Sequence, residues 1–349
     1  MLVCDKPLPA LKAPRPNSVL VRAPGRLHLG FLDPAGSLGR RFGSLGLVIE
    51  EFETVIELTP APAGTVADEV TALTRSAAGE IERARAHLAR LRAHTGFDQA
   101  LQLRLVQVLP AHAGFGSGTQ LAIAIGRAFA HCHGLAVDST VLARWLGRGL
   151  RSGIGIAGFD QGGLLLDGGP GADGSPAPVL ARLALPEAWR VLVVQDLSVQ
   201  GLSGPQERQA LSQLSQLTPL PREAAADICH QMLMRVLPGA ACGDFAAFAA
   251  GITHMQALLG AHFAPAQGGS AFTSAAVGQL VQWVAEGAKA NQGAAVGQSS
   301  WGPTGFAILP SLSVAEAAVR SARAAGLVRE GLQLQIVRPR NQGASISCT

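Results

Sequence analysis

The chain has 349 residues, enough for two domains of ordinary size, with 48% hydrophobic and only 15% charged residues, which excludes a disordered chain and predicts a sizeable core. Lys plus Arg is 28 against 24 for Asp plus Glu, a formal net charge of +4; the basic residues are scattered, so no nucleic-acid partner is expected. No stretch approaches the roughly 18 apolar residues of a membrane span, and no basic patch followed by an apolar segment opens the chain, so it reads as soluble, unexported and cytoplasmic.

The first 17 residues, with Pro7, Pro9, Pro14 and Pro16, read as a loose arm, and regular structure is expected from Ser18. Alternating or β-rich apolar runs predict strands over 19–22, 27–31, 45–58 and 101–108. Residues 75–94 predict an amphipathic helix with Ile81, Leu88 and Leu91 on its apolar side and its arginines on a solvated face. Helices over 118–133 and 139–150 follow a glycine-rich turn, and strands over 164–167 and 179–183 flank a Gly/Pro/Ser-rich loop. The character changes near Pro186. A strand over 191–195 leads into helices near 205–217, 221–236, 243–260 and 274–289, then a Gly/Ser loop, a strand over 306–309, a helix near 313–325 and a last strand over 333–337. This is an α+β pattern in two halves, 18–185 and 186–349, without an internal repeat.

Four segments carry chemistry. LPAHAGFGSGTQLAIAIGRAFA, residues 109–130, runs strand, glycine-rich turn, helix. Gly114, Gly116 and Gly118 let the backbone approach a ligand, and Ser117 and Thr119 add hydroxyls beside the first-turn N–H groups, where a phosphate would find unpaired donors and the helix dipole. The turn alone is read as well as a tight turn with an N-capping Ser, and it is not a P-loop, since the lysine is missing. GRGLRSGIGIAGFDQGG, residues 147–163, sets Arg148 and Arg151 before a glycine loop presenting Asp160. APGRLHLGFLD, residues 23–33, places Arg26 and His28 two apart, on one side of a strand, with Asp33 and Arg40 close behind. GQSSWGPTGFAIL, residues 297–309, offers Ser299, Ser300 and Thr304 as neutral donors. The run His131, Cys132, His133 falls at a helix end, where neighbours two apart diverge, and is read as structural. The five cysteines (Cys4, Cys132, Cys229, Cys242, Cys348) never form a C-x-x-C pair, so neither a disulfide framework nor a zinc site is indicated, and the absence of Tyr removes any mechanism needing a protein phenol.

In this order the segments resemble the GHMP kinase superfamily, the galactokinase, homoserine kinase, mevalonate kinase and phosphomevalonate kinase group. APGRLHLGFLD, RGLRSGIGIAGFDQGG and SSWGPTGFA are more similar still to a branch that is not a kinase, the β-ribofuranosylaminobenzene 5′-phosphate synthases, over about residues 20 to 340. The resemblance implies a two-domain GHMP kinase-like fold with the ligand cleft between the halves. It implies transfer of ribosyl 5-phosphate from phosphoribosyl diphosphate to the ring carbon of 4-aminobenzoate, or a related 4-substituted benzoate, with loss of CO₂ and diphosphate, in tetrahydromethanopterin biosynthesis. Asp160 matches the superfamily's catalytic aspartate. Gly114, Gly116, Ser117, Gly118 and Thr119 are then phosphate-binding, and Arg26, His28, Asp33, Arg40, Arg148, Arg151, Ser152, Ser299, Ser300 and Thr304 are substrate-binding candidates. Mg²⁺ is implied with the diphosphate, its ligands unassigned, with no organic cofactor; a homodimer is expected. Where the kinases carry a second Ser, often a magnesium ligand, this chain has Gly118, and Gln120 replaces a small Ala. An ATP-dependent small-molecule kinase and a catalytically silent phosphometabolite-binding protein are the alternatives.

Overall fold

The computed structural model describes residues 16–201 and 204–349; Cys4 and nearly all of the expected arm lie outside them. The first half contains β1 (Val19–Asp33), β2 (Phe42–Pro60), β3 (Glu69–Ala72), α1 (Arg75–Ala78), α2 (Ile81–Thr95), β4 (Leu101–Gln107), α3 (Ser117–Cys132), α4 (Ser139–Trp145), α5 (Ile154–Gln161), β5 (Leu164–Asp167) and β6 (Val179–Leu183). The second contains β7 (Arg190–Asp196), α6 (Gly204–Leu217), α7 (Arg222–Gln231), a π-helical turn at Met232–Val236, α8 (Leu237–Cys242), α9 (Phe245–Phe263), α10 (Ala275–Ala288), β8 (Ala295–Gln298), β9 (Thr304–Leu309), α11 (Leu312–Ala324) and β10 (Leu332–Val337). A last strand, β11 (Ser345–Cys348), returns to pair with β1. The tail therefore belongs to the first sheet, a correction to the expected second half ending at residue 349.

The first sheet runs β11-β1-β2-β4-β3, with β5 on the far end of β2 and β6 beside it; the second runs β10-β7-β9-β8. Residues 19–22 and 27–31, expected as two strands, form one. The register shifts between Pro24 and Arg26 and between His28 and Gly30, so two bulges absorb the proline and turn β1 without ending it. Alternation along β1 and β2 buries Leu27, Leu29, Leu45 and Leu47 against Met255 and Leu259 of α9 and Phe306 of β9, so the halves share one core. A second core packs the first sheet under α2 and α3, and a third packs the second sheet under α10 and α11. Their burial contributes roughly 1.5 to 3 kcal/mol per large apolar side chain before entropy is counted.

The helix α5 was not expected, because its glycines read as a loop. A Cβ on Gly155 would lie 3.0 Å from Thr119 Cγ2 and one on Gly158 3.0 Å from Val48 Cγ2. Those glycines let a helix pack closely rather than turn. α4 stops at Trp145, short of the expected residue 150, since Gly147 and Gly149 adopt φ of 68° and 79°.

Candidate active site

β4 delivers the chain into the glycine turn, and α3 begins beyond it. Gly116 caps α3 with φ 75° and ψ 22°, and no side chain caps the first turn; Thr119 N donates to Gly116 O at 3.0 Å, which leaves the Ser117 and Gly118 N–H groups available to an anion. Gly114 also has a positive φ, 91°. The turn is held from two sides. Arg26 Nη1 donates to the Gly114 carbonyl at 3.0 Å, and the Arg26 backbone N–H donates to Phe115 O at 3.1 Å. Ser299 Oγ, 185 residues away, donates to the same Gly114 carbonyl at 2.7 Å and accepts from His28 N at 2.9 Å. Gly302 lies against the turn as well, since a Cβ there would sit 2.6 Å from Ala113 C.

These contacts enclose an open cleft of about 400 Å³, lined by the turn residues Gly114 and 116–119, by Arg26, Arg83, Arg148 and Arg151, and by Glu207 and residues 300–302 from the second half. Arg26 Nε, Arg148 Nε and Arg151 Nη1 are buried there without a protein hydrogen-bond partner. Buried donors are nearly always satisfied, so three unpaired guanidinium donors in one cleft point to an anion. Burial lowers the Arg26 pKa to about 10, with Glu207 opposing the shift, so it stays cationic at neutral pH. Arg148 is lowered too, by burial first and then by Arg83 and Arg90. Arg148 occupies the space over Gly118, where a Cβ would lie 3.2 Å from its Nη1. Arg151 Nη2 donates to Glu207 Oε2 at 2.8 Å, and among the described residues Glu207 is the one carboxylate lining the cleft.

A second compartment opens beside the first and shares Ser300 and Trp301 with it. It is the smaller of the two, about 40 Å³, and is lined by His28, Phe31, Phe263, Trp301 and the glutamines Gln256, Gln267 and Gln298. Ser300, at the junction, has φ 55°, a left-handed conformation uncommon for a non-glycine residue. The amides are fixed: Gln256 Nε2 donates to Leu29 O at 2.6 Å, Gln298 N to Gln256 Oε1 at 2.9 Å, and Gln298 Nε2 to Gln267 Oε1 at 2.8 Å. Aromatic faces with rigid amides suit a flat, weakly polar ring.

Ser299, fully buried and lining neither compartment, is committed to holding the turn, and five further expected site residues stand elsewhere. Asp160 lies at the exposed end of α5, accepting from Ser139 Oγ at 2.6 Å; partial burial raises its pKa, against the opposing effects of that hydrogen bond and the charge of Arg127. Arg127 is about 15 Å along α3 from its first turn at 1.5 Å per residue, so Asp160 does not face the cleft. Asp33 caps the β1–β2 loop by accepting from Gly36 N at 2.8 Å and Ser37 N at 2.7 Å; Arg40 donates to Gly169 O at 2.8 Å. Ser152 donates to Asp167 Oδ2 at 3.0 Å, so it fixes the arginine loop rather than lining the cleft. Thr304 is buried in β9, where its carbonyl accepts from Ser299 N at 2.9 Å. His133 stacks on Phe97 with ring centroids 4.4 Å apart, which is the structural role expected of that run.

Sequence reasoning missed Arg83, Glu207, Trp301 and the glutamines. Arg83 sits among arginines expected on a solvated face. Its signal was Glu80 three residues earlier, a buried carboxylate that Arg83 Nη1 meets at 2.8 Å. Glu207 and the glutamines carry no local motif.

Among the described residues no group of three or more His, Cys, Asp or Glu could hold a metal ion, and no helix is long and apolar enough to cross a membrane. Residues 81–165 match the family of the GHMP kinases N terminal domain. In the solved structures the fold is similar to that of L. major mevalonate kinase, with a TM-score of 0.67 at 15% identity over 96% of this chain and 98% of that one. The chain is 31% identical over 306 residues to a β-ribofuranosylphenol 5′-phosphate synthase of Archaeoglobus fulgidus, covering 83% of this chain and 88% of that protein. It is 31% identical over 255 residues to the protein of that name from Methanothermobacter thermautotrophicus, covering 68% and 75%. With a GHMP-type fold and a likeness that runs through most of both chains, this protein belongs to the β-ribofuranosylphenol 5′-phosphate synthase family.

Proposed function

We propose that the protein condenses phosphoribosyl diphosphate with 4-aminobenzoate, or its 4-hydroxy counterpart, releasing CO₂ and diphosphate and forming a C-riboside 5′-phosphate, a step of tetrahydromethanopterin biosynthesis. One observation carries this reading: a cationic cleft and an aromatic, amide-lined compartment meet at Ser300 and Trp301. A polyanion and a flat ring placed in them would have their reacting atoms at that junction, the positioning such a reaction needs.

The diphosphate takes the free N–H groups of the turn and the buried donors of Arg26, Arg148 and Arg151. As the C1–O bond breaks, its electron pair passes to the diphosphate, and these fixed cations stabilise the growing charge. The ring carbon bearing the carboxylate supplies the pair for the new C1–C bond. The pair of the C–COO⁻ bond then restores the aromatic ring as CO₂ leaves, so no proton is gained or lost. Mg²⁺ bound with the diphosphate would neutralise part of its charge. Glu207 and the hydroxyls of Ser117 and Thr119, all lining the cleft, are the oxygen donors there, a sparse set that suits an ion held mainly by phosphate.

The kinase alternative finds less support. Arg148 fills the space that a side chain at position 118 would take, so the hydroxyl the kinases place there is replaced by a guanidinium. The test is release of labelled CO₂ from carboxyl-labelled 4-aminobenzoate or 4-hydroxybenzoate with phosphoribosyl diphosphate and no ATP. Release without ATP is expected; phosphate transfer from ATP without CO₂ would support the kinase instead.

A further inference from the structure

His28 is held by its backbone on both sides, its N–H donating to Ser299 Oγ at 2.9 Å and its carbonyl accepting from Ser300 N at 3.2 Å. Its ring packs edge-on against Phe31, centroids 4.6 Å apart at 65°, and lines the aromatic compartment. The residue is 4% exposed, yet its Nε2 is buried with no hydrogen-bond partner. A buried polar atom left unpaired is costly, and in a ligand compartment the missing partner is supplied by the ligand. Burial, and then the charges of Arg26 and Arg151, push the imidazole pKa down to about 3, while a hydrogen bond to its own backbone opposes them. The ring is thus neutral at physiological pH. With its proton on Nδ1, a neutral imidazole turns an unshared pair outward on the other nitrogen, the one that has no partner here. Nε2 is left as a lone-pair acceptor.

We propose that His28 reads the 4-substituent of the aromatic acceptor, Nε2 accepting a hydrogen bond from its amino or hydroxyl group and so pointing the ring's carboxylate toward Ser300 and the arginines. This rests on the function proposed above and adds to it the group that orients the ring. The reverse orientation sets a carboxylate against a lone pair. As the C1–C bond forms, positive charge moves through the ring onto the 4-substituent. Its bond to Nε2 strengthens at that moment, so His28 aids turnover as well as binding.

Calorimetric binding of 4-aminobenzoate and 4-hydroxybenzoate is compared with that of 4-(dimethylamino)benzoate and 4-methoxybenzoate, which lack the donor, in the presence of phosphoribosyl diphosphate or, for a non-reacting complex, inorganic pyrophosphate. The native protein is expected to prefer the donors about tenfold, the loss that follows from leaving a buried acceptor unpaired. His28→Ala should bring the preference close to one by weakening the donors, with pyrophosphate affinity unchanged, and His28→Gln, which keeps an acceptor, should recover most of it. Equal affinities in the native protein, or an undiminished preference in a folded His28→Ala, would overturn the assignment. Donor preference that vanishes in His28→Ala, in a protein that releases no CO₂, would uphold His28 as the reader of the ring while removing the proposed reaction.

Discussion

Arg151 divides its donors, one nitrogen 2.8 Å from Glu207 Oε2 and the other buried without a partner. An incoming diphosphate therefore competes with an internal carboxylate for the same fork. Replacing Glu207 with Gln keeps an acceptor and removes the competing charge, so pyrophosphate without Mg²⁺ should bind about fivefold more tightly by calorimetry, the scale of one charge-assisted contact. Weaker binding would show instead that Glu207 chiefly holds Arg151 in place. Asp160→Asn provides the contrast: its carboxylate serves Ser139 at the far side of α5, so labelled CO₂ release should stay within about twofold of the native rate. A loss of about 100-fold, the size seen when a preorganised electrostatic contact is removed, would bring Asp160 back into the chemistry.

α5 and β5 hold the arginine loop through one buried side chain. Asp167 accepts from Ser44 N at 3.1 Å, Ser152 Oγ at 3.0 Å, Gly153 N at 2.8 Å, Ile154 N at 3.2 Å and Gly169 N at 2.9 Å. Asp167→Asn turns an amide donor toward those N–H groups. It should cost about 2 to 3 kcal/mol in denaturant unfolding, and a loss under about 0.5 kcal/mol would mean that the loop is held by other contacts. At this scale the sequence was legible where periodicity was strong. α3 begins one residue before its expected start, and α10 and α11 fall within one residue of expectation, because each has an apolar face that only a helix buries. It was not legible where glycine served packing. Gly155 and Gly158 look like loop residues until Thr119 and Val48 are seen against them, and misreading that helix placed Asp160 in the cleft. β3, β8 and β11 are four residues each, too short for alternation to separate them from loops.

Across the whole molecule, the site exists because distant loops meet. The glycine turn, the arginines of residues 26, 148 and 151 and the serines of residues 299 and 300 were readable as chemistry, since each carries its donors locally. The aromatic compartment was not, because Phe31, Gln256, Phe263 and Trp301 become neighbours only when α9 packs across β1 in the shared core. The two-compartment site is tested most directly by a crystal structure with a carbocyclic analogue of phosphoribosyl diphosphate, which cannot ionise at C1, and 4-aminobenzoate. The expected result is diphosphate on residues 114–119 within reach of Arg26, Arg148 and Arg151, and the aromatic ring between His28 and Trp301 with its carboxylate toward Ser300. A diphosphate bound away from the turn, or a ring outside the compartment lined by His28, would contradict it.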